Sequence, residues 1–211
     1  MQQIDQPRRQ LAIALAALAG FVDAAGFLAA NRYFVSFMSG NTTRLGVDLI
    51  TTPATAWIPA VLITAFVVGV TGGALIAQRA ADQRKPAVLG SVAMVLGAAA
   101  ALHAAHAGLP MLILLAAAMG ALNNTFQRGG TVSLGLTYMT GALVRMGQGL
   151  AARLSGQSGE GWHGWLLLWL GLSGGAVAGA LGWTHWSDGA LWLAAGWAAL
   201  LALAARRLPA A

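Results

Sequence analysis

The sequence contains no cysteine. Disulfides, thiolate catalysis and cysteine metal sites are thereby excluded. Charge is almost as scarce, with 9% of the 211 residues being Asp, Glu, Lys or Arg, against roughly 25% in an average soluble domain. So few charges cannot cover a water-facing surface. Also missing are the short alternating strands of about 9–11 residues that build an outer-membrane barrel. No phosphate loop, nucleophile elbow or zinc-protease motif occurs.

What is present is apolar. Hydrophobic residues make up 58% of the chain, and mean hydropathy is +0.69. The default class is an all-α membrane protein in one membrane domain, residues 1–211. The net charge of +6 does not point to nucleic acid, because the twelve cations stand singly or in pairs at the ends of apolar runs.

A span takes about 20 apolar residues, which gives six candidates at 11–30, 57–78, 87–107, 109–127, 163–183 and 189–205. Arg8-Arg9 and Ala17-Leu18-Ala19 imitate a cleavable signal, but the apolar run continues to Ala30, so the first span is read as a retained helix. Trp57, Trp162, Trp183, Trp186 and Trp192 lie near span ends, as interfacial anchors do. Arg8 and Arg9, the Arg79/Arg84/Lys85 loop, and Arg206 and Arg207 all fall on the cytoplasmic side if the polar stretches 31–56 and 128–162 make no net crossing. Arg128, Arg145 and Arg153 then join them, leaving only Arg32 and Arg44 outside. Both termini are expected inside, at a bacterial inner membrane.

The chain repeats itself. Residues 35–50 align with 136–151 through Met38/Met139, Gly40/Gly141, Arg44/Arg145, Gly46/Gly147 and Leu49/Leu150, with Ser36/Thr137, Phe37/Tyr138 and Ser39/Thr140 as close substitutions. Asp23 aligns with Asn123, and Val70-Thr-Gly-Gly-Ala74 aligns with Leu172-Ser-Gly-Gly-Ala176. Three spans per pseudo-repeat (11–107 and 109–207) is an odd number, so the second half inserts inverted relative to the first. The expected architecture is a 3+3 inverted-topology repeat of six transmembrane helices with two broken or re-entrant box segments, as in secondary transporters. Gly69, Gly73 and Ala77 match Gly171, Gly175 and Gly179, spaced by four as helix-packing faces require.

Within the boxes, Ser39-Gly40-Asn41-Thr42 reads as a break followed by an N-cap, and Thr140-Gly141 does the same in the second half. A helix starting inside the membrane presents free N–H groups to an anion or polar solute. Arg44 and Arg145 lie one turn further on. Asp23 is the single acidic residue well inside a span, and such carboxylates are usually functional. Its open roles are a salt bridge to Arg44 or Arg145, a proton-coupling group and a direct substrate contact. Asn123, Asn124 and Gln148 complete the candidate set, with Gln127 adding hydrogen-bonding capacity and Asp48 expected to face an aqueous vestibule. His103 and His106 lack a third ligand, so no metal and no cofactor are expected.

Gly20-Phe-Val-Asp23-Ala24-Ala-Gly26-Phe27, Phe37-Met-Ser-Gly-Asn-Thr42 with Arg44 and Gly46, and Tyr138-Met-Thr-Gly141 with Gln148 resemble the YoaK-type family of small bacterial inner-membrane proteins. That family is of unknown function. The resemblance implies a multi-pass membrane protein of about this length and no particular substrate. The second box departs from it at Ala142-Leu143.

The expected function is non-enzymatic: a small-molecule permease or secondary transporter with a midplane polar site between the repeats, taking a small polar or anionic solute. Homodimerisation fits a chain of only six spans. A membrane scaffold or accessory subunit is the alternative, followed by an intramembrane lipid-modifying enzyme.

Overall fold

In a computed structural model of the chain, the described residues are 5–29, 32–128, 131–132, 135–158 and 161–208. Ala30, at the end of the first expected span, and the side chain of Arg128 lie outside them. The fold is helical: α1 (Gln6–Ala29), α2 (Met38–Thr51), α3 (Trp57–Ala80), α4 (Arg84–Ala104), α5 (Gly108–Leu122), α6 (Met139–Leu154) and α7 (Trp162–Ala205). Pro7, Pro59, Pro86 and Pro110 each stand in the first turn of a helix, where their missing N–H has no intrahelical partner to lose. The strand structure among the described residues is a two-residue antiparallel pairing, Gln127 with Val132 and Arg128 with Thr131.

Four helical stretches are long and apolar enough to cross a membrane: Gln6–Ala29, Trp57–Ala104, Gly108–Thr125 and Trp162–Ala205. The second and fourth contain 48 and 44 residues. At about 1.5 Å per residue, each is more than twice as long as a hydrocarbon core of about 30 Å is thick. Each is interrupted. Ala81, with φ of 44°, opens a single 3-10 turn between α3 and α4. Trp186 leaves helical geometry inside α7 (φ −154°, ψ 66°), dividing it into 162–185 and 187–205.

Leu15, Leu18, Leu89, Leu96, Leu115 and Leu191 are fully buried in the core. Apolar side chains also cover the outside: Val67, Val68, Met94, Val177, Leu181, Leu200 and Leu203 are all exposed. A surface of this kind suits lipid, where tails replace water around it.

Glycine sets how the helices meet. A Cβ on Gly171, Gly175 or Gly179 would collide with the backbone of Ile13, Ala17 or Phe21 in turn, so α1 and the first part of α7 run parallel in backbone contact. A Cβ on Gly69 or Gly73 would collide with the backbone of Ala117 or Ala121, so α3 and α5 are parallel as well. Gly20 faces Leu172 and Ala176 as Gly120 faces Phe66 and Val70. The two seams therefore correspond contact for contact, with Gly69 answering to Gly175 and Gly73 to Gly179. This packing equivalence lies one helical turn beyond the pairing of Gly73 with Gly175 that sequence identity selects.

The third helix of each half completes the set. His103 Nε2 is 3.5 Å from an Asp188 oxygen, its ring is 4.8 Å from that of Trp183, and Gly97 lies opposite Trp192. Hence α4 runs antiparallel to 187–205. At the other end of α4, Lys85 interacts electrostatically with Asp5 and Arg8 at the start of α1.

Candidate functional site

Each box is an irregular stretch followed by a separate helix, α2 or α6. The helices begin at Met38 and Met139, so no break falls at Ser39-Gly40 or Thr140-Gly141, and neither Phe37 nor Tyr138 at the N-cap has a side-chain capping bond. Ser39-Gly40-Asn41-Thr42 and Thr140-Gly141 thus lie inside the first turns. Among the described residues, no Ser or Thr side chain caps either helix, contrary to the expectation from the sequence. Thr42 and Thr43 donate back to the carbonyls of Met38 and Ser39 one turn earlier.

The acidic group at the entrance to the first box is the protein's own Asp23. Asp23 Oδ1 accepts hydrogen bonds from the Val35 and Ser36 amides, both at 2.8 Å. These bonds tie α1 to the start of the box. In the second half Asn123 takes the same place: its Nδ2 donates to Thr137 Oγ1 at 3.2 Å and to the Met119 carbonyl at 3.0 Å. Asp23 with Ser36 therefore corresponds to Asn123 with Thr137, a carboxyl clasp in one half and an amide clasp in the other.

Asn41 fastens the first box again. Completely buried, it accepts from the Phe34 amide at 3.0 Å and donates to the Phe34 carbonyl at 2.6 Å, pairing its amide with one residue's backbone. The corresponding residue in the second box is the buried Ala142, which has no such capacity. Gly40 leaves room for the rings of Phe34 and Phe37, which meet edge to face with centroids 5.2 Å apart.

The arginines do not converge on Asp23. Arg44 Nε donates to both Asp48 oxygens at 3.1 Å, and its guanidinium lies over the Tyr33 ring, 4.8 Å from the centroid. Asp48 is buried against that cation and accepts from Thr52 and Tyr33 instead of facing a vestibule. Arg145 is exposed and stacks over Trp165 at 4.9 Å. Asn124 donates to the Val70 carbonyl and accepts from Gln127, joining α5 to α3. Gln148 is exposed on α6.

Between the boxes lies a half-open pocket of about 270 Å³. Ser36, Phe37 and Ser39 line one side, and Thr137, Tyr138 and Thr140 line the other, each residue matching its counterpart in the repeat. Met38, Gly141 and Phe66 of α3 complete the wall. Of the twelve candidates, Ser39, Thr140 and Gly141 line the pocket. Asp23 and Asn123 act one residue behind it, through Ser36 and Thr137. Gly40, Asn41, Thr42, Arg44, Asn124, Arg145 and Gln148 stand outside its wall. Ser36, Phe37, Thr137 and Tyr138 were legible as repeat pairs although not as lining, whereas Phe66 had no signal at all.

The family described as "Protein of unknown function (DUF1275)" matches residues 11–204, nearly all of both halves. The chain belongs to the DUF1275 family. The DUF1275 chain is also 36% identical over 202 residues to a UPF0700 transmembrane protein of Rhizobium meliloti (strain 1021), covering 94% of this chain and 86% of that relative. No solved structure matches it. With this relative, the apolar helices and the apolar exterior, the DUF1275 chain is a membrane protein, as its resemblance to a multi-pass family implied.

Proposed function

We propose that the protein is a small-molecule permease of the bacterial inner membrane, built as six spans in a 3+3 inverted repeat with both termini in the cytoplasm. The observation that carries this reading is the pocket, to which both boxes contribute the same three kinds of residue in register. A scaffold has no need of a matched cavity where its two halves meet. Helix directions support the inversion. If α1 runs outward, so do 162–185, parallel to it, and α4, which starts beside it; α3, α5 and 187–205 then run inward. Helices that correspond in the two halves, α1 with α5 and α3 with 162–185, therefore oppose one another. The starts of α1 and α4 form one basic end, which the positive-inside rule assigns to the cytoplasm.

Alternating access is the property to test. Because the chain has no cysteine, Ser39→Cys and Thr140→Cys can be labelled without background. In oriented proteoliposomes, a membrane-impermeant maleimide should reach both positions from either side, in separate populations. Labelling of each position from one side only, under every condition tried, would refute the transport reading.

A further inference from the structure

We infer that the pocket between the boxes takes a neutral, flat, hydrogen-bonding ring of about nucleobase size, rather than an anion. This rests on the reading of the pocket as a solute site and names its substrate class. Size sets the first bound. About 270 Å³ lies just below the usual range of roughly 300–1,000 Å³ for ligand pockets, so one or two fused rings fit and a nucleotide does not.

Charge sets the second. Among the described residues, no charged side chain lines the pocket. The nearest carboxylate, Asp23, is held by backbone amides behind Ser36. Arg44 is paired with Asp48, and Arg145 is stacked on Trp165. An anion entering here would lose water and gain no cation, which is unfavourable in a low-dielectric wall.

The lining supplies the third. Phe37 and Tyr138 are 42% and 61% exposed and stand at matching positions on the two sides. Between them they offer faces on which a flat ring can stack. Ser36, Ser39 and Thr140 supply hydroxyls that serve as donor or acceptor. A ring carrying both N–H and C=O edges satisfies such a set. A pure hydrocarbon does not.

The test compares probes of one shape and different charge: uracil with orotate, and nicotinamide with nicotinate, by isothermal titration into the detergent-purified full chain. At least one neutral member should bind, and its carboxylated partner should bind at least tenfold more weakly. Phe37→Leu and Tyr138→Leu, which keep bulk but remove the ring face, should each weaken the neutral probe about tenfold in a chain that still unfolds cooperatively, Phe37→Leu with a lower midpoint because it also loses the contact with Phe34. Equal or tighter binding of the carboxylates, no binding of either neutral probe at millimolar concentration, or indifference to both leucine variants overturns the inference. Two-sided cysteine labelling with failure of every neutral probe leaves transport standing and removes only the substrate class. Binding without uptake into proteoliposomes does the reverse.

Discussion

Replacing Gly175 by Ala adds one methyl group at a point where the backbone of Ala17 already occupies the space. A flexible side chain could move aside; a carbonyl inside a helix cannot. Relief therefore requires α1 and α7 to separate along a seam that also contains Gly171 and Gly179. Overpacking of this kind costs about 1–3 kcal/mol, and a backbone obstacle puts it at the upper end, near 2–3 kcal/mol. Gly69→Ala meets Ala117 in the same way in the other pair and should cost the same. The neighbouring glycines give the internal control. A Cβ on Gly72 or Gly174 meets nothing within 4 Å, so alanine there should stabilise by about 0.5–1 kcal/mol through helix propensity alone. The two classes should thus differ by about 3 kcal/mol in reversible SDS unfolding followed by tryptophan fluorescence. If Gly175→Ala and Gly174→Ala agree within about 0.5 kcal/mol, the seams described above are wrong. If Gly175→Ala and Gly69→Ala diverge by about 2 kcal/mol, the correspondence between the two pairs is wrong.

Two further outcomes use the same assay. Asn41→Ala leaves the Phe34 amide and carbonyl without their side-chain partner and should destabilise by about 2–4 kcal/mol, from two buried backbone groups at about 1–2 kcal/mol each; Thr42→Ala, on the exposed side of the same turn, should stay within about 0.5 kcal/mol. Arg44→Ala should cost about 1–2 kcal/mol, because it strips the buried Asp48 of its cation while the guanidinium itself is 40% exposed. Arg145→Ala removes only an exposed stacking contact and should cost under about 1 kcal/mol, so equal losses at the two arginines would contradict the geometry.

The helices were legible because their signals are local: long Ala/Leu runs, with proline in the first turn. The partnership of the boxes was legible too, since a Met-hydroxyl-Gly pattern recurring about a hundred residues later is a property of side chains. The fastening of the boxes was not. Asp23 is held by the amides of Val35 and Ser36, and Asn41 by those of Phe34; a backbone N–H has no letter in the sequence. The charges therefore suggested one another as partners, and Arg44 turned out to pair four residues along its own helix, with Asp48. The seam register was missed for a related reason. Glycines spaced by four match again after a shift of four, and the Gly-Gly-Ala identity draws Gly73 onto Gly175 although the contacts set it with Gly179.

The glycine seams also decide what can move. Helices in backbone contact cannot slide past each other without a collision, so α1 with 162–185 forms one stiff block and α3 with α5 another. Each block takes one helix from either half of the sequence. The mechanical units are thus exchanged relative to the genetic ones. A rocking motion would part neither repeat from its twin, but would pivot one mixed pair against the other, with the boxes at the joint. Cutting the chain in the 105–107 turn would leave each fragment holding one wall of both blocks and completing neither.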